Sequence, residues 1–131
     1  MRTVRVVAAL IEQDGRYLIT QRRDGAVLAG LWEFPGGRVE GEETDAQALK
    51  REIRERLDVE VSVREMVSFV SHPYERYTVD LYLYACTLDG GEPRTRAVRD
   101  FRWARSSEFD AYDFTPADEA SMNILLGEAE V

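Results

Sequence analysis

Residues Gly37 to Val59 read GRVEGEETDAQALKREIRERLDV. Pro35-Gly36-Gly37 leads into the stretch and reads as a turn, because proline presets the first turn position and glycine permits positive φ after it. A loop with Glu40, Glu42 and Glu43 follows, and then a helix dense in Glu and Arg. Thr44 is placed to cap that helix, and Gln47, three residues on, to return the bond to the cap amide. Ala46, Leu49, Ile53 and Leu57 recur at helical spacing and form the expected buried stripe. Glu52 lies at one margin of the stripe and Glu55 about 60° further round. The acids therefore flank the core face beside a glycine-rich segment that exposes backbone.

Upstream of this stretch, Val4 to Ile11 is a run of β-branched residues and alanine that reads as a buried strand. Asp14-Gly15 signals a tight hairpin into Tyr17 to Arg22. Arg23 to Gly30 has no period and reads as a loop before a short strand, Leu31 to Phe34. Downstream, Val59 to Val70 and Tyr77 to Leu88 read as strands, with Ser71 to Tyr74 between them and Gly90-Gly91 ending the second. Phe101 to Trp103 is a short final strand. Thr115-Pro116 starts a last helix that runs to about Leu126. The order β-β-loop-β-helix-β-β-β-helix predicts an α/β architecture, a mixed sheet covered by helices on its faces.

The length, 131 residues, suits one domain spanning 1–131. A formal net charge of -8 argues against a general nucleic-acid binder, so an anionic ligand has to be met by local cations. The apolar run near the N-terminus is broken by Arg5 and ended by Glu12, too short for a membrane span or a signal segment. With Cys86 the single cysteine, no intrachain disulfide forms, and a cytoplasmic location is expected.

Magnesium prefers oxygen ligands, keeps several waters and bridges carboxylates to substrate phosphates. Carboxylates at i and i+3, Glu52 and Glu55, beside a segment offering a backbone carbonyl meet those needs, and the reaction implied is hydrolysis at phosphorus. The same charges also pair as Arg51 with Glu55 and Glu52 with Arg56 at i,i+4, as on any solvated helix. The longer pattern separates the two readings. Gly37, five residues, Glu43, seven residues, then Arg51-Glu52-Ile53-x-Glu55 resembles the signature of the Nudix hydrolases. GLWEFPGG at Gly30 to Gly37, Gln21-Arg22, and Pro116-Ala117-Asp118 resemble the MutT and CTP pyrophosphohydrolase branch.

That resemblance implies a Nudix-like α/β/α sandwich and a Mg2+-dependent enzyme, with Mn2+ as an alternative ion. Its substrate would be a small-molecule nucleotide, a nucleoside diphosphate joined to a further group, with a nucleoside triphosphate cleaved to monophosphate and pyrophosphate as the favoured case. It further implies Glu52 and Glu55 as metal ligands assisted by the Gly36 carbonyl, support from Glu43 and Glu33, and Arg51 bracing the loop by ion pairing. Arg22 would meet substrate phosphates. Glu52 would also accept the proton of the attacking water. Asp118 would read a base edge or else simply favour its helix N-terminus. His72, Tyr74, Arg76 and Tyr77 would wall the base or else pack. Neither a membrane nor nucleic acid is an expected partner, and the protein would be a monomer or homodimer.

The resemblance has three departures. Where the family continues Glu-Glu-x-Gly, this chain has Glu55-Arg56-Leu57-Asp58. Arg56 puts a cation in place of a metal-binding carboxylate, so it either weakens the metal site or contacts phosphate directly through its planar fork. A nucleotide-binding module with little turnover is the alternative function it raises. Asp58 in place of glycine costs roughly 0.5 to 1 kcal/mol at a left-handed helix end. Ala97 stands where relatives often carry a catalytic glutamate, with Glu92 and Asp100 the nearby acids.

Overall fold

A computed structural model describes residues 2–127. Strand β1 (Arg2–Gln13) turns through Asp14 and Gly15, at φ 52° and 77°, into β2 (Arg16–Gln21), as the Asp-Gly pair predicts. After a loop come β3 (Trp32–Glu33), β4 (Gly36–Arg38) and helix α1 (Asp45–Leu57). A long hairpin, β5 (Glu60–Pro73) and β6 (Tyr77–Gly90), leads to β7 (Asp100–Ala104), a 3-10 turn (Ser106–Ala111) and helix α2 (Pro116–Gly127). The sheet order is β3-β2-β1-β6-β5, with β4 also paired to β1 and β7 to β2. The β1–β6 pair is parallel and the others are antiparallel, so the sheet is mixed.

Strand β1 is the centre of both cores. Successive side chains of a strand point to opposite faces, and here both faces are covered. Val7, Ala9 and Ile11 pack with Ala48, Leu49, Ile53 and Leu57 of α1. Ala8, between them, packs on the other face with Ile19, Phe34, Leu83 and, from α2, Ala117 and Met122. Burial on two sides accounts for the continuous apolar run that the sequence shows. The result is the expected α/β/α layering. Among the described residues no helix is long and apolar enough to cross a membrane.

Helix α1 has the predicted ends. The Thr44 hydroxyl accepts from the Gln47 amide at 3.2 Å, and the Gln47 side chain accepts from the Thr44 amide at 2.9 Å. Asp58 closes the helix in the left-handed region, φ 58° and ψ 39°, and its amide donates to the Arg54 carbonyl. The buried face differs in one respect: Ala46, in the first turn, is only partly buried, whereas Ala48 and Glu52 are buried.

The Pro35-Gly36-Gly37 segment is a correction to the turn reading. Gly36 and Gly37 lie in β4, paired to Ala8 and Val7, and neither has positive φ. Here glycine serves close approach rather than a special dihedral angle. A Cβ on Gly36 would fall 2.0 Å from the Val7 carbonyl oxygen, and one on Gly37 would fall 2.3 Å from the Glu52 carboxylate. Backbone cannot retreat from the first position, whereas a side-chain end can from the second. Gly36→Ala is therefore expected to cost about 3 kcal/mol in urea unfolding and Gly37→Ala distinctly less. Equal costs would contradict this account of the two glycines.

Candidate active site

Glu52 faces the sheet from α1, and its carboxylate lies against the bare backbone of Gly37. A carboxylate so buried needs partners. Oε1 accepts from Arg51 at 2.9 Å and Oε2 from Nε of Arg56 at 2.9 Å. Both helix pairs read from the sequence therefore form, since Arg51 also reaches Glu55 at 3.3 Å.

Arg51 is held on every side. Its Nε and NH2 donate to the two oxygens of Glu43 at 2.7 and 2.9 Å, and NH2 also donates to the Arg38 carbonyl at 3.0 Å. The Glu40 amide donates to Glu43 in turn. Arg51 thus ties α1 to the loop before it through Glu43 and the Arg38 carbonyl. Its guanidinium, with help from that amide, holds the Glu43 carboxyl below the usual range.

Arg56 lies between Glu52 and Glu33, with NH1 3.6 Å from Glu33. On the far side of Glu33, Arg22 donates to both carboxylate oxygens at 3.0 and 3.3 Å and is itself fixed by the Val27 carbonyl. Burial pushes the Glu33 carboxyl above its ordinary value, and the charges of Arg22 and Arg56 oppose that shift. One line of alternating charge results: Arg22, Glu33, Arg56, Glu52, Arg51, Glu43.

The backbone beneath Arg56 is anchored. The last carbonyls of a helix lack intrahelical donors, and the segment after β6 supplies them. Arg96 and Ala97 amides donate to the Arg56 carbonyl at 3.1 Å each, and the Arg94 amide donates to Leu57 at 2.9 Å. Ala97 thus holds the end of α1. Of the acids near it, Glu92 is exposed and Asp100 accepts from its neighbours Phe101 and Arg102.

Strand β3 positions the second helix. Trp32 bonds backbone to backbone with Asp113 and Thr115, bringing the start of α2 beside Phe34. Asp118 is buried there: Oδ1 accepts from the Phe34 amide at 3.0 Å, and Oδ2 accepts from the Thr115 hydroxyl. Thr115 caps α2, its hydroxyl accepting from the Asp118 amide at 3.2 Å. Burial, reinforced by the charge of Glu33, pushes the Asp118 carboxyl up to about 7. Tyr74 stacks on Tyr77 with ring centroids 5.3 Å apart, and its hydroxyl accepts from the Ala117 amide at 3.1 Å. His72 meets the edge of Tyr74.

A cavity of about 460 Å³ joins these parts, within the size range of small-molecule sites. Arg22, Glu33, Gly36 and Arg56 are among its lining residues, as are Tyr74, Arg76, Tyr77 and Asp118. Arg22, Arg56, Tyr74, Arg76, Tyr77 and Asp118, which the sequence suggested would meet substrate, are in that lining, and His72, suggested beside them as a wall of the base, is not. Glu43, Arg51, Glu52 and Glu55 are not; they sit beside it, joined through Gly37 and Arg56. Among the described residues no three His, Cys, Asp or Glu side chains converge as an ion-binding group. From the sequence, Glu33 had only a supporting part, although it sits between Arg22 and Arg56, two of the arginines that line the cavity. Its signal was the acid between aromatics in Trp32-Glu33-Phe34, which strand alternation turns away from the Phe34 core.

The NUDIX domain family model matches residues 6–123, nearly all of the described chain, and the chain belongs to that family. Within the family it is a Nudix hydrolase of the MutT-like branch. It is 39% identical over 120 residues to the CTP pyrophosphohydrolase of Escherichia coli K12, covering 90% of this chain and 87% of that protein. It is 31% identical over 128 residues to the 8-oxo-dGTP diphosphatase of Haemophilus influenzae, covering 97% and 94%. The solution structure of the E. coli ORF135 protein superposes with a TM-score of 0.82 at 33% identity, over 98% of this chain and 92% of that one.

Asp118 makes a pH prediction. Burial holds its carboxyl up at about 7, above the ordinary aspartate value of 3.8, so the folded state binds the extra proton between the two. Stability from this group is full below the lower value and is lost as pH rises through the upper one. Asp118→Asn, which carries no charge, should therefore gain stability relative to wild type between about pH 5 and about pH 8, by on the order of a few kcal/mol. Paired thermal melts at the two pH values check this, and a pH-independent difference would contradict the assignment.

Proposed function

We propose that the protein is a cytoplasmic, Mg2+-dependent hydrolase of nucleoside diphosphate-linked compounds, with nucleoside triphosphate cleaved to monophosphate and pyrophosphate as the preferred reaction. The observation that carries this reading is the cavity itself, whose lining brings together the guanidinium groups of Arg22 and Arg56, the latter paired to Glu52 of α1, the rings of Tyr74 and Tyr77, and the buried acid Asp118. The activities named for the E. coli and H. influenzae relatives support it.

The residues present fit a magnesium ion of one kind. Glu52, Glu55 and the Gly36 carbonyl offer oxygen alone, as magnesium requires, with manganese the natural substitute. Two carboxylates suit an ion shared with substrate phosphates rather than one caged by protein. Bound there, the ion would supply charge neutralisation on the reacting phosphate oxygens.

The rest is work for the chain. Arg22 and Arg56 bind phosphate oxygens through their planar forks. Arg51 keeps Glu52 and the loop carrying Glu43 in register. Tyr74 and Tyr77, with Arg76 beside them, wall the base. Each Asp118 oxygen already accepts one hydrogen bond, and a carboxylate oxygen has a second lone pair for an exocyclic amine. Glu52 accepts the proton of the water that attacks phosphorus, and the pyrophosphate group leaves as the new P–O bond forms.

A second reading, a nucleotide-binding module with little turnover, draws support from Arg56 on Glu52. Arg56→Glu separates the two: a large gain in activity marks an impaired site, and a loss marks an arginine with its own role.

The purified protein with Mg2+ is expected to hydrolyse members of a panel of nucleoside triphosphates and dinucleoside or sugar diphosphates. Glu52→Gln should lower kcat at least about 100-fold while leaving the fold intact by circular dichroism. Hydrolysis of nothing in the panel would overturn the proposal.

A further inference from the structure

Arg51 and Arg56 share Glu52 unequally. Arg51 is tied to Glu43, Glu52, Glu55 and a backbone carbonyl. Arg56 makes a single side-chain hydrogen bond among the described residues, from Nε to Glu52, with NH1 at 3.6 Å from Glu33. It also lines the cavity, which Arg51 does not. Its backbone is pinned through the Arg56 carbonyl, so the side chain is the part with freedom to move.

We propose that Arg56 guards Glu52 against divalent cations until a polyphosphate draws its guanidinium into the cavity, so that anion and cation load this site together. The inference rests on the reading of the site as one for phosphates and a divalent ion. A phosphate competes well for the guanidinium fork, because two parallel N–H groups match two of its oxygens. Once Arg56 turns, Oε2 of Glu52 is buried without a partner, an unfavourable state that a divalent cation relieves. A cation on Glu52 in turn repels Arg56 toward the phosphate. Each ligand therefore raises the affinity of the other by the same factor. An arginine that stayed on Glu52 throughout would give no such coupling.

The test uses Mn2+ and inorganic pyrophosphate as probes, without nucleotide. In electron paramagnetic resonance titrations with Mn2+ alone, R56Q is expected to bind about tenfold or more tightly than wild type. R38Q, which removes a charge from the same cavity without touching Glu52, should stay near wild type. The second arm needs no variant protein beyond resonance assignment. In arginine Nε–H spectra of wild type titrated with pyrophosphate in the absence of metal, the Arg56 signal should move and the Arg51 signal should not. R56Q binding Mn2+ no more tightly than R38Q, or an Arg56 signal unmoved across the titration, overturns the guard. Nucleotide hydrolysis by wild type alongside that result would leave the proposed function standing and remove this inference alone.

Discussion

The Glu52 carboxylate resting on a strand without a side chain is the constraint that the site depends on. A carboxylate on the inner side of a helix is unfavourable unless it is paired, and the sheet normally leaves no room for it. Gly37 makes that room, with a Cβ there falling 2.3 Å from the carboxylate. Arg51 and Arg56 then close on the two oxygens from either side. Because Gly36 makes the equivalent close approach to Val7, the central strand, β4 and the acid of α1 form one rigid unit.

Around that unit a protein of net charge -8 builds a cationic recess. Five arginines and two acids line the cavity, and both acids, Glu33 and Asp118, have burial pushing their carboxyls upward. The acid excess lies elsewhere on the molecule. Such an arrangement admits an anion without making the whole surface attractive to nucleic acid, whose binding depends on many phosphate contacts at once. The alternating line from Arg22 to Glu43 also keeps each buried charge beside an opposite one, so that the recess is compatible with folding.

Much of this was legible in the residues because the signals were local. Asp14-Gly15 named its hairpin through the dihedral angles that only such residues adopt readily, and Thr44 with Gln47 named the helix start through reciprocal hydrogen bonds. Asp58 was read correctly as a left-handed helix end in spite of replacing glycine. Pro35-Gly36-Gly37 was misread because turns and close approaches use the same residue, and the crowding partner, Val7, is far away in sequence. The part of Glu33 was undervalued for a related reason. Its meaning depends on Arg22 and Arg56 meeting across it, and those arginines belong to the end of a strand and the last turn of a helix.

The most direct test of the account is a crystal structure of the protein with Mg2+ and a nucleoside triphosphate analogue that resists hydrolysis. The phosphates are expected between Arg22 and Arg56, the ion on Glu52 and Glu55, and the base against Tyr74 and Tyr77 near Asp118. A nucleotide bound outside this cavity, or phosphates placed with no contact to either arginine and no ion on α1, would contradict it.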